Sequence, residues 1–174
     1  MKFENTNIKQ VYIIKAEGFE DDRGMFRRHF CSDEFKENKI EHNIQQSNIS
    51  ENFKKFTLRG FHYQTGKHAE AKTLSCLKGK IYDIVLDLRE GSDTYKKWVG
   101  FEISEYNRKS IHIPKGCANA FLTLEDNCLI HYYCSNRYDP DSEKGIRYND
   151  PSFNFKWPET PLIISNKDLN HKNY

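Results

Sequence analysis

KIYDIVLDLR, residues 80 to 89, decides how the rest of the chain is read. Side chains alternate along a strand. Tyr82, Ile84, Leu86 and Leu88 therefore share one face, and Ile81, Asp83, Val85 and Asp87 share the other. The first face is apolar throughout. The second mixes aliphatic residues with two carboxylates, as the wall of a ligand cavity does; a strand with one side in water gives the same pattern. In CLIHYYCSNRY (128 to 138) the same rule sets Cys128, Ile130, Tyr132 and Cys134 against Leu129, His131, Tyr133 and Ser135. If the Cys/Ile face is interior, it carries the Tyr132 hydroxyl inside, where a polar partner is needed.

Working outward, further strand-like runs recur between turn signals. They are VYIIKAEGF, MFRRHF, IQQSNIS, FTLRGFHYQ, AKTLSCL, WVGFEIS, SIHIP and ANAFLTL. Only SDEFKENKIEHN (32 to 43) reads as a helix, with Ser32 or Asp33 as its cap and Phe35 and Ile40 on one side. The stretch after NDPSFNFKWPETP reads as an irregular, proline-broken tail. The expected fold is all-β: one antiparallel sandwich or barrel of the jelly-roll kind, residues 1–174, with a short helical insert.

Composition narrows the function classes. A chain of 174 residues suits one domain, and a net charge of +2 without a run of like charges gives no electrostatic support for nucleic acid or a membrane surface. No stretch approaches the ~18 consecutive apolar residues of a membrane span, and MKFENTNIKQ lacks the apolar core of a signal peptide. A cytoplasmic protein is expected. Cys31, Cys76, Cys117, Cys128 and Cys134 form no C-x-x-C pair and are odd in number, so neither a zinc site nor a disulfide framework is indicated.

LRGFHYQ (58 to 64) holds Arg59 and His62 three residues apart, which on a regular strand sends them to opposite faces. A glycine inside a strand often marks a bulge, and one extra residue resets the alternation. A bulge at Gly60 lets Arg59 and His62 face one pocket. The competing reading is a packing glycine with Arg59 exposed.

Six segments in this order decide between these readings: DDRGMF (21 to 26), LRGFHYQ (58 to 64), DLREGSDTYKKWVG (87 to 100), IPKGCANAF (113 to 121), GIRYNDP (145 to 151) and WPETPLIISNKD (157 to 168). Together they resemble the dTDP-4-dehydrorhamnose 3,5-epimerase family, over about residues 10 to 168. The resemblance implies a cupin-type jelly roll, a homodimer, and chemistry without metal or cofactor. The absence of a His-x-His in His62-Tyr63-Gln64 agrees with that.

The family acts on a nucleotide-linked 4-keto-6-deoxy sugar. The ketone acidifies the hydrogens on C3 and C5, so each centre can lose a proton and regain it on the other face. This needs a base of near-neutral pKa, an acid across the ring and a donor at the enolate oxygen. The resemblance implies His62 as base, Asp168 as the carboxylate that orients it, Tyr132 as acid and Lys72 at the enolate. It implies anion contacts from Arg23 and Arg59, sugar contacts from Asp83, Asn119 and Tyr138, and nucleobase recognition around Gln46 and Asn48, reached from the neighbouring subunit.

The chain also departs from the family pattern. Asn119 stands where a second histidine is usual, Arg28 where a glutamate is usual, Ile49 at a polar or histidine position, and Thr65-Gly66 in place of a more apolar or proline-bearing stretch. Asn119 can donate and accept but cannot carry a titrating proton. The open substrate readings are a dTDP-hexose, a GDP-heptose, or epimerisation at C3 alone, all in surface-polysaccharide or deoxysugar biosynthesis. A cupin that binds a sugar nucleotide without turning it over is the rival from another class, and it would have no use for both His62 and Asp168.

Overall fold

A computed structural model describes residues 1–174. The strands are β1 (Lys2–Asn5), β2 (Tyr12–Lys15), β3 (Gly18–Asp21), β4 (Gly24–Arg27), β5 (Gln46–Asn52), β6 (Thr57–Gln64) and β7 (Lys72–Lys78). They continue with β8 (Lys80–Asp87), β9 (Trp98–Ser104), β10 (Lys109–Ile113), β11 (Cys117–Thr123), β12 (Cys128–Cys134), β13 (Glu143–Gly145) and β14 (Ile163–Ile164). Two short helices, α1 (Ser32–Glu37) and α2 (Asn166–Leu169), complete the chain. One sheet runs β1-β2-β10-β7-β12-β5 and the facing one β13-β6-β11-β8-β9, with β14 added parallel to β6. All other pairings are antiparallel, and β3 and β4 form a separate hairpin.

The alternation on β8 sorts its side chains as the sequence predicts. Ile81 and Val85 enter the core between the sheets, where they join Leu74, Ile111, Phe121 and Ile130, with Tyr132 packed alongside. Ile84 and Leu86 point the other way, into a second cluster with Phe61, Ala120 and Phe153. That apolar outer face is shielded from water by residues 153–157. Phe155 stacks on Phe61 at 4.4 Å between centroids, and the Trp98 indole donates to the Phe153 carbonyl at 3.0 Å. Phe153 of this segment is buried and Phe155 and Trp157 are half-buried on the second sheet, because the sheet offers them apolar surface. The tail that follows is not irregular throughout as expected, since it carries β14 and α2.

The helix is half the expected length, because Lys39 enters the left-handed region at φ 57° and ends it. The Ile40 amide reaches back to the Phe35 carbonyl at 2.9 Å and the Lys39 amide to that of Lys36 at 3.0 Å. These are the paired bonds of a Schellman stop, sealed by contact between Phe35 and Ile40. Neither Ser32 nor Asp33 caps the start; Cys31 takes that position, without a side-chain bond.

The bulge falls at Gly60. Asn119 pairs with His62, but its successor Ala120 pairs with Gly60, so Phe61 is the extra residue. Phe61 packs into the outer cluster, while Arg59 and His62 both line the same cavity between the sheets.

Candidate active site

That cavity, about 490 Å³, is lined by Arg59, His62, Lys72, Asn119, Tyr132 and Asp168, with aliphatic walls from Leu58, Leu74 and Ile164. A second cavity of about 330 Å³ shares His62, Lys72 and Tyr132 with it and adds Gln46, Asn48, Tyr138 and Glu143. His62 stands on β6 of one sheet, and Tyr132 and Lys72 stand on adjacent strands β12 and β7 of the other. A flat ligand between the sheets therefore meets the imidazole on one side and the phenol on the opposite side.

Asp168 comes from the far end of the chain. β14 runs alongside the start of β6, pairing Ile163 with Thr57 and Ile164 with Leu58, and the next turn is α2. Ser165 caps that turn by accepting the Asp168 amide at 3.1 Å. The buried carboxylate then lies 2.7 Å from His62 Nε2 and accepts the Gly60 amide at 3.4 Å. Burial pushes the Asp168 carboxyl up, but the bond from His62 and its charge, with the Gly60 and Ser165 bonds, outweigh this and hold it below its ordinary value. An ionised Asp168 takes the Nε2 proton as a hydrogen bond, leaving Nδ1 as the ring's free lone pair.

Opposite, burial raises the Tyr132 phenol above its ordinary value, so it holds its proton at neutral pH. Lys72 is largely buried and pairs with Glu70 at 3.2 Å. The Arg59 guanidinium is anchored by Nε to Asn52 Oδ1 at 2.7 Å, which leaves its terminal nitrogens for a ligand.

Two of the expected site residues are not at the cavity wall. Asp83 is fully buried behind it and accepts from Asn119 Nδ2 at 2.9 Å, so it orients Asn119 from inside the core. Arg23 sits at the tip of the β3–β4 hairpin, bonded to Asp21 at 2.6 Å and almost wholly exposed, and it lines neither cavity. Arg28 is likewise on the surface, paired with Glu34 at 2.9 Å, so the charge reversal there does not reach the cavity of the same chain. Gln46 accepts the Tyr138 amide, and the Tyr138 hydroxyl donates to Glu143 at 2.6 Å, which also binds Lys167 at 2.5 Å. Glu143, Lys167 and Ser165 were assigned no role from the sequence, since each is an ordinary polar residue until β13 and β14 dock on β6.

Burial drives the Asp83 carboxyl up to about 8, against the smaller opposing effects of the Asn119 hydrogen bond and the Lys72 charge. An acid whose folded pKa is raised binds its proton more tightly in the native state, so it costs stability as pH climbs from its unfolded value, near 4, toward 8. Asp83→Asn keeps the shape and removes that dependence. Its melting temperature, followed by circular dichroism, should fall less between pH 4 and 8 than that of the parent. Parallel curves would contradict a neutral Asp83.

The model of the dTDP-4-dehydrorhamnose 3,5-epimerase family matches residues 5–174. A dTDP-4-dehydrorhamnose 3,5-epimerase of Methanothermobacter thermautotrophicus is 38% identical over 98% of this chain and 93% of its own. The crystal structure of the Elizabethkingia anophelis dTDP-4-dehydrorhamnose 3,5-epimerase superposes with a TM-score of 0.95, at 38% identity over 100% of this chain and 96% of that one. The Legionella pneumophila enzyme in complex with dTDP-4-keto-L-rhamnose superposes with a TM-score of 0.93, at 34% identity over 99% and 92%.

Proposed function

Because the chain belongs to the dTDP-4-dehydrorhamnose 3,5-epimerase family, we propose that it epimerises a dTDP-linked 4-keto-6-deoxyhexose at C3 and C5, using His62 and Tyr132 from its two facing sheets. The observation that carries this reading is the 2.7 Å contact between His62 Nε2 and Asp168 across the cavity from a protonated Tyr132.

The sugar ring lies between the sheets with its 4-keto oxygen toward Lys72. His62 Nδ1 removes the acidic hydrogen from one face, and Asp168, a positioning residue, stabilises the imidazolium that forms. Negative charge collects on the keto oxygen, where the Lys72 ammonium is worth most because water is excluded. The Tyr132 hydroxyl returns a proton to the opposite face, which inverts the centre. Arg59 holds an anionic part of the substrate through its free guanidinium edge.

Incubation with dTDP-4-keto-6-deoxyglucose in D2O, followed by proton NMR, tests the assignment. Deuterium at both C3 and C5, with inverted product, is the expected result. Deuterium at C3 alone would make this a single-centre enzyme, a reading that the non-titrating Asn119 in the cavity favours. No exchange in this sugar, against exchange in a GDP-linked heptose, would overturn the hexose.

The active unit is a homodimer in this proposal. What supports it is the β3–β4 hairpin, which holds Phe19 at 85% and Phe26 at 78% exposure beside Arg23. Two exposed phenylalanines on a projecting hairpin suit a protein contact, and a partner's hairpin is the route by which an Arg23 reaches a cavity that its own chain keeps it from. Light scattering should report twice the 20.7 kDa chain mass; a fully active monomer would remove the claim.

A further inference from the structure

We propose that His62, Asp168 and His171 form a binding site for a borderline divalent cation of the zinc class, and that a cation bound there shuts off the base. The second half rests on the function proposed above; the first does not.

The donor atoms of the three residues all lie within 4.8 Å of one another. His62 Nε2 is 2.7 Å from Asp168 Oδ1, and His171 Nε2 approaches the same oxygen at 3.9 Å. His171 Nε2 is buried and has no hydrogen-bond partner, so it is a ring nitrogen aimed at a carboxylate without bonding to it. Its ring fills the space above Gly145, where any Cβ would collide with it, and Gly145 is paired with His62 across β13 and β6. One strand pair therefore holds both imidazoles against one carboxylate.

Two imidazoles and a carboxylate suit zinc, cobalt or nickel, whereas calcium and magnesium prefer oxygen donors. Ligand distances of about 2.0–2.2 Å in a tetrahedron place donors roughly 3.3–3.5 Å apart. An ion thus needs the His62–Asp168 contact to open and His171 to close on Asp168, each by about half an ångström or slightly more, and the two imidazoles to approach one another by up to about 1.5 Å. His62 and Asp168 both line the cavity, which supplies the entry path.

Occupation changes the tautomer of His62. In the free protein Nε2–H donates to Asp168 and Nδ1 keeps its lone pair. A cation takes the lone pair of Nε2, so the ring proton moves through solvent to Nδ1, with no net gain or loss. Nδ1 can then no longer accept a proton from the sugar.

The test is a zinc titration of the chelator-treated protein in competition with a coloured chelator, with no sugar nucleotide present, and cobalt as a spectroscopic probe. One equivalent should bind. His171→Asn and His171→Ala should each weaken binding by at least about tenfold, since loss of even an outer-shell partner costs that much. Both variants should keep their deuterium exchange and lose its inhibition by zinc, which chelator reverses in the parent. No uptake at millimolar zinc, or unchanged affinity in both variants, would overturn the site. Binding that leaves exchange untouched would overturn only the shut-off. If the parent exchanges no substrate, the function fails while the titration still decides the site.

Discussion

His62→Asn should slow deuterium exchange at C3 and C5 by about 10²–10⁴-fold, the usual worth of a positioned general base. The asparagine amide reaches only the Nδ1 end of the imidazole and stops short of Nε2, so Asp168 loses that bond and keeps the one from the Gly60 amide. What it lacks is a lone pair basic enough to take a carbon-bound hydrogen. His62 is only partly buried at the cavity edge, so circular dichroism should stay near that of the parent, with a modest drop in melting temperature for the bond that the buried Asp168 loses. NMR of the residual exchange is the decisive readout. Loss at both centres makes His62 the base for both. Loss at one assigns the other to a different group, and full activity would remove His62 from the mechanism.

Gly60→Ala should be the most destabilising single substitution in β6, at about 3 kcal/mol or more. Gly60 has φ 111°, in the region that side chains avoid, and a Cβ there would sit 2.5 Å from the Asn119 carbonyl oxygen and 2.7 Å from the Ala120 Cα. Both obstacles are backbone, and both belong to a strand that is also paired with β8 through Val85 and Ile84. Neither can yield without tearing the second ladder. The melting temperature should drop by roughly 6–12 °C for a chain of this size. Activity should fall with it, because the bulge is what turns Arg59 and His62 to one side. Gly66 is the control: its φ is also positive, at 62°, but nothing lies within 4 Å of its Cβ position. Alanine there should cost about 1 kcal/mol. Equal costs at the two positions would mean that backbone conformation, not close approach to β11, makes Gly60 necessary.

Both predictions rest on features legible in the order of residues alone. Hydrophobic alternation located β5 to β12, because a strand buried between two sheets must send every second residue into the core. That parity alone carried Tyr132 inward and put Ile84 and Leu86 on the opposite side from Asp83. The glycine interrupting LRGFHYQ marked the bulge for a local reason, its tolerance of positive φ.

Other features were illegible because no local pattern encodes them. β1, β13 and β14 have two to four residues and exist only as additions to strands already in place. The end of α1 depends on a single lysine at positive φ, a conformation for which sequence gives little warning. Asp83 read as a cavity residue because its face was the right one; Asn119 on the neighbouring strand β11 takes the place at the wall and bonds Asp83 behind it.

The amino-acid sequence by itself determined an all-β sandwich and the parity of its central strands, since both follow from side-chain alternation, and it offered the bulge at Gly60 as one of two readings, between which the family resemblance decided. Only the tertiary structure decided that Asp168 meets His62 at 2.7 Å, 106 residues apart in sequence, that His171 stands behind them, and that Arg23 and Arg28 stay outside the cavity. Those outcomes depend on where the tail docks against β6 and on how far the hairpin projects. Long-range packing sets both, and the short-range pattern of the chain does not record it.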